Sequence, residues 1–108
     1  MSKGIPAIVL AAGASQRLGQ AQALVNWNGE TLVRRAVRLL KETGCNPIIV
    51  VTRIELQVDI MLECPDTFIV VNQSPEDGRT GSLQVGLVSL ISELGRTPRR
   101  VLVCPVDR

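Results

Sequence analysis

The sequence predicts an α/β fold in three layers: an open, mainly parallel sheet of about four strands with helices on both faces. Three observations carry that expectation. Short β-branched apolar runs alternate with segments whose apolar residues recur at helical spacing, in the order strand, helix, strand, helix, strand, helix, strand. Aromatic residues are almost absent, Trp27 and Phe68 being the two present, so the core must be aliphatic, as in parallel strands covered on both faces. At 108 residues, 45% of them apolar, the chain has room for one domain over 1–108 and enough apolar surface to bury its core.

The first strand is read in Ile5–Leu10, IPAIVL, a continuous apolar run with Pro6 tolerated near its start. A loop over Ala11–Gly19 follows. In WNGE, Asn28-Gly29 signals a tight turn. Thr31 can then cap a helix running to about Thr43. Its inward residues are Leu32, Val33, Ala36, Val37, Leu39 and Leu40, and Arg34, Arg35, Arg38 and Lys41 lie outside. Gly44 is placed to end it. PIIVV, Pro47–Val51, is the second strand. Glu55–Leu62 reads as a short helix with Leu56, Ile60 and Met61 inward. FIVV, Phe68–Val71, is the third strand, and the polar stretch NQSPEDGRTG forms a second loop. A helix then starts at Ser82, with Leu83, Leu87, Leu90 and Leu94 on one face and Gly95 at its end. VLVC, Val101–Cys104, is the fourth strand.

Right-handed crossovers and a Rossmann-type strand order place the first and fourth strands side by side. Ligands of such sheets bind outside the carboxyl ends of the strands. Three features leave those ends here: the loop after Leu10, the loop after Val71, and Asp107.

Composition narrows the function. A net charge of +2 is too small for a nucleic-acid footprint, and no aromatics are interleaved for base stacking. Arg34, Arg35 and Arg38 on one helix, and Arg96, Arg99 and Arg100 around a loop, read as solvated surface. Cys45, Cys64 and Cys104 are scattered without metal-binding spacing, and read as free thiols, with Cys45 and Cys104 buried beside strands. The absence of histidine removes most zinc sites and every histidine-based triad. No apolar run reaches membrane-spanning length and the start lacks a signal-peptide stretch, so a cytoplasmic location is expected.

The first loop, LAAGASQRLG, has the makings of an anion site. Gly13 and Gly19 permit close backbone approach, Ser15 adds a hydroxyl, and Arg17 adds a fork-shaped cation suited to phosphate. The spacing is neither G-x-G-x-x-G nor a Walker loop. A dinucleotide binder also wants an acidic residue just after the second strand, where Thr52 and Arg53 stand before Glu55. The loop alone equally fits a glycine-softened turn with a solvated arginine. Asp107, just past an apolar strand, fits a Mg²⁺ ligand or a helix cap. Ser82 fits a cap of its own helix or a nucleotide contact.

Three motifs in order resemble those of the MobA-like nucleotidyltransferases, which share the molybdenum-cofactor nucleotidyltransferase fold. They are LAAGASQRLG, VVNQSPEDGRTGSLQVGL with its Gly78, Ser82, Leu83, Gly86 and Leu87, and VLVCPVD. The resemblance covers the whole chain. It implies a Rossmann-like sheet of the nucleotide-diphospho-sugar-transferase type and transfer of a nucleotidyl group from a nucleoside triphosphate to a phosphorylated acceptor such as molybdopterin, releasing pyrophosphate. LAAG is typical of CTP-using members, whereas guanylyl transferases usually show a further glycine where Ala12 stands, so CTP is favoured over GTP. The methylerythritol-phosphate cytidylyltransferases share the first loop and an arginine-x-x-serine stretch, which RTGS resembles. By the resemblance, Gly13, Ala14 and Ser15 cradle phosphates or ribose, Arg17 stabilises triphosphate charge, Ser82 sits near the base, and Asp107 holds Mg²⁺. Leu10, Ala11, Ala12, Asn72 and Gly78 complete the nucleotide-binding set.

Two departures qualify it. Members usually carry proline-lysine where Ala21 and Gln22 stand, and glutamine brings no charge to a phosphate. Members also continue well beyond the aspartate, so the chain reads as the nucleotide half, with the acceptor half absent. An apolar fourth strand is then a sheet edge open to self-association. Both departures keep a non-catalytic nucleotide-binding or assembly relative as the alternative.

Overall fold

The computed structural model describes residues 4–13, 16–17 and 20–106. Strand β1 (Ala7–Leu10) begins directly after Pro6, which therefore costs the ladder nothing. Two short ladders follow, which the sequence pattern does not announce. One pairs β2 (Gln16–Arg17) with β3 (Gln20–Ala21); after a 3₁₀ turn at Gln22–Leu24, the other pairs β4 (Asn26–Trp27) with β5 (Glu30–Thr31). Asn28 and Gly29 join the latter pair with φ of 56° and 88°, the two positive values that a tight hairpin turn requires.

Helix α1 (Leu32–Glu42) is capped as expected: the Thr31 hydroxyl oxygen accepts from the Arg34 N–H at 3.3 Å. Gly44, at φ 94°, follows its end. Arg38 ties the helix to the hairpin through Glu30, at 2.6 Å, and reaches Glu42 at 3.2 Å. Its hydrogen bond holds the Glu30 carboxyl below the usual range. Val33, Ala36 and Val37 are buried, but Leu39 is 41% exposed. It lies off the narrow stripe those residues form, so its expected inward placement is not realised.

Strand β6 (Ile48–Thr52) leads through a 3₁₀ turn at Ile54–Leu56 into α2 (Gln57–Glu63). Ile60 is fully buried, whereas Met61, also expected inward, is 47% exposed, because one short helix can bury only one edge. Strand β7 (Phe68–Val71) and a 3₁₀ turn at Pro75–Asp77 precede α3 (Arg79–Leu94), which Gly95 ends at φ 76°. The last strand is β8 (Leu102–Pro105). Cys45 and Cys64 are buried and Cys104 is half-buried; all three thiols are free.

The main sheet has the order β7-β6-β1-β8, and every pairing in it is parallel. The first and fourth strands of the sequence reading therefore do lie side by side. Alternate residues of the central strands feed two aliphatic layers. Ala7, Val9, Ala11 and Val50 pack with Val33, Val37 and Ile60 from α1 and α2. Ile8, Leu10, Ala12, Ile49 and Val51 pack with Leu90 of α3. At Gly86, α3 comes so close to the sheet that an added Cβ would stand 2.7 Å from Ile8 Cγ2 and 3.1 Å from Val51 Cγ2. At the β8 edge Leu102 and Val103 remain exposed. No helix among the described residues is long and apolar enough to cross a membrane.

Candidate functional site

A cavity of about 320 Å³ opens at the carboxyl end of β1. Leu10, Ala12 and Gly13 line it on one side; Pro75, Glu76, Gly78, Arg79 and Ser82 line it on the other. Two loops more than sixty residues apart in sequence thus meet where an open parallel sheet places its ligand.

The β1 side is an extension of the sheet. Leu10, Ala11 and Ala12 are buried, and the Ala11 N–H donates to the Val51 carbonyl at 2.8 Å, carrying the ladder one residue past the strand. The Val106 N–H donates to the Leu10 carbonyl at 3.1 Å, and Pro105 lies opposite Leu10 in register. Gly13 is fixed from outside the loop: Arg53 Nη1 donates to its carbonyl at 3.4 Å, while Arg53 Nε donates to Glu55 Oε1 at 3.2 Å. A backbone hydrogen bond within Glu55, aided by Arg53, holds that carboxyl below the usual range.

The α3 side is built from a turn and a helix start. Gly78 adopts φ 96°, which reverses the chain into α3, and its N–H donates to the Pro75 carbonyl at 3.2 Å. The helix starts at Arg79, three residues before the expected Ser82. Gly78 is its N-cap and offers no side-chain acceptor, and the positive end of the helix dipole lies beside the cavity. Ser82 therefore does not cap α3. Instead its hydroxyl oxygen accepts from Asn72 Nδ2 at 2.9 Å, in a buried bond. Asn72 Oδ1 in turn accepts from the Ser74 N–H at 2.9 Å, and the Asn72 N–H donates to the Thr52 carbonyl at 2.8 Å. One buried asparagine, through its backbone N–H and its side-chain amide, thus joins the end of β6, the turn after β7 and the first turn of α3.

Of the site residues read from the sequence, the structure brings Leu10, Ala12, Gly13, Gly78 and Ser82 to one cavity, with Ala11 and Asn72 behind its walls. Gln22 opens the 3₁₀ turn and is not part of the lining. Ala14, Ser15, Asp107 and the Arg17 side chain lie outside the described residues. Among those described, no group of three or more metal-binding side chains occurs. The sequence reading missed Glu76 and Arg79 on the wall and Arg53 behind it. RTGS carried a signal for Arg79; nothing local announced a bond spanning forty residues from Arg53 to Gly13.

A family model described as the MobA-like NTP transferase domain matches residues 7–108. A probable molybdenum cofactor guanylyltransferase of Opitutus terrae is 42% identical over 52 residues, covering 48% of this chain and 26% of that protein. A second protein of the same description, from Bacillus cytotoxicus, is 35% identical over 65 residues, covering 58% and 32%. The crystal structure of Rv0371c from Mycobacterium tuberculosis H37Rv superposes with a TM-score of 0.72 at 25% identity, over 97% of this chain and 53% of that one. The chain therefore matches about a quarter to a third of the curated relatives' length.

Proposed function

The chain belongs to the MobA-like NTP transferase domain family, and from that premise we propose that it is the nucleotide-holding part of an enzyme that transfers a nucleotidyl group to a phosphorylated acceptor. The observation that carries the reading is the single cavity where the Leu10–Gly13 segment meets the N-terminal end of α3. A triphosphate placed there meets backbone of the glycine loop, first-turn amides of α3 and the Arg79 side chain. An acceptor phosphate oxygen attacks the α-phosphorus and pyrophosphate leaves. No covalent enzyme intermediate is required, so the chain contributes alignment and charge stabilisation. Arg17 belongs to this reading as a further cation, with Ala14 and Ser15 as loop donors.

Mg²⁺ belongs to this reading through Asp107, which follows β8 by two residues in the sequence; magnesium takes one or two carboxylates together with waters and phosphate oxygens. Bound by Asp107, it would neutralise charge on the triphosphate.

The base rests on one position. Ala12 stands among the lining residues at the position where guanylyl transferases usually have glycine, which supports CTP. The curated relatives, both named as probable guanylyltransferases, support GTP as the second reading, and their names support a molybdopterin acceptor. Competition of CTP and GTP against a fluorescent CTP separates the two. On the first reading Ala12→Gly shifts preference towards GTP by about tenfold, roughly 1.4 kcal/mol; an unchanged ratio would remove Ala12 as the selector. Gln22, away from the lining, supports a non-catalytic relative as the alternative class, and pyrophosphate release from CTP and an acceptor, lost in Asp107→Asn, would rule that out.

A further inference from the structure

At the other end of the sheet, where β1 and β6 begin, lies a larger cavity of about 530 Å³. Ile5, Pro47 and Leu94 supply apolar wall, and Arg96, Arg99 and Arg100 supply charge; no carboxylate lines it. These arginines differ from the others described. Arg34, Arg38 and Arg53 pair with carboxylates, Arg35 lies 4.9 Å over the Trp27 ring, and Arg79 also has a partner. Arg96, Arg99 and Arg100 make no ion pair or hydrogen bond with another described residue.

Three guanidinium groups within five residues repel one another, and no carboxylate lines the cleft to offset them. The carboxyl end of α3 points the same way and offsets only roughly half a charge. Guanidinium forks match phosphate oxygens two at a time. The volume lies in the range of small-molecule sites, about 300–1,000 Å³, and the apolar wall offers contact to a hydrocarbon or ring.

We propose that this cleft binds a small organic phosphate, a multiply charged anion with a compact apolar body, at a site separate from the nucleotide cavity. Helix α3, 16 residues or about 24 Å long, separates the two, with Arg79 and Ser82 at one end and Leu94 at the other. The inference does not depend on the transferase reading, since it rests on different residues.

The test is a titration of the full chain with phenyl phosphate and with inorganic phosphate, followed by backbone-amide NMR. Saturable shifts at Ile5, Asn46 and the 94–100 segment are expected, with phenyl phosphate binding the more tightly. The R96Q/R99Q/R100Q variant, altered only at exposed positions, should keep its amide spectrum and bind at least tenfold more weakly. Ser82→Ala should bind as the wild type does. Shifts confined to 10–13 and 75–82, equal binding by the triple variant, or no saturation would overturn the proposal. Equal affinity for the two phosphates would overturn its organic part. The transferase reading fails on different signals, those of the nucleotide cavity.

Discussion

On the β1 side of the cavity proposed for the nucleotide, Leu10, Ala11 and Ala12 are buried, and parallel ladders hold Leu10 on both flanks. On the α3 side, Glu76, Gly78 and Arg79 are exposed, and the wall stands where it does because of a buried amide and a close helix-to-sheet approach. The first wall is placed by many small apolar contacts, and no single polar change should move Leu10, Ala11 or Ala12. The second depends on Asn72 and Gly86, neither of which needs to touch a ligand. Affinity should therefore be lost more readily from the α3 side than from the β1 side.

The most disruptive test is Gly86→Val. Ile8 and Val51 are fully buried, stiff, β-branched neighbours that cannot yield cheaply, so overpacking should cost about 1–3 kcal/mol or more. Thermal unfolding should show a loss of about 4–8 °C per kcal/mol, and nucleotide affinity should fall as α3 is pushed off the sheet. An unchanged melting temperature would mean that α3 does not seat at this point.

Asn72→Ala comes next. It leaves the Ser74 N–H without its acceptor and removes the Ser82 bond, a cost of about 1–3 kcal/mol. Urea unfolding should show that loss together with weaker nucleotide binding. Lost stability at full affinity would show that the amide pins the fold but not the site.

Beneath the β1 wall, Cys64 belongs to the same apolar cluster as Ala7, Val9 and Ala11. Burial pushes its thiol from 9.0 up to about 11. The folded state therefore favours the protonated form, and its contribution is fully present below pH 9. It is lost as pH rises towards 11. Unfolding followed across that window should show declining stability, and Cys64→Ala should flatten the decline.

Arg53→Gln sharpens the comparison from the β1 side. It removes a half-exposed tether from Gly13 and should cost less than about 1 kcal/mol of stability. Calorimetry should nevertheless record a few-fold loss of nucleotide affinity if Gly13 needs that tether. Smallest of all is Val103→Lys on the exposed β8 edge, expected within about 0.5 kcal/mol of the wild type. If that edge self-associates, sedimentation velocity should show the variant shifted to monomer.

The legibility of the sequence follows the same division. β7 was read to the residue, and β1 and β6 to within two, because unbroken apolar runs leave a buried strand little alternative. Thr31 and the Asn28-Gly29 turn were legible because capping and positive φ are local chemistry. The start of α3 lies three residues ahead of the expected Ser82 because its cap is Gly78, which has no side chain to mark it in the sequence. Leu39 and Met61 were misread because helical periodicity shows that a stripe exists but not how wide the neighbouring layer is. At the site, the loops were legible as motifs, whereas Arg53 with Gly13 and Asn72 with Ser82 are pairings that only the fold creates.

The most direct test of the central claim, that the glycine loop and the start of α3 together hold a nucleoside triphosphate, is a calorimetric titration of the chain with CTP in the presence of Mg²⁺. Saturable binding at one site per chain is expected. Absence of saturable heat with CTP and with GTP would contradict it.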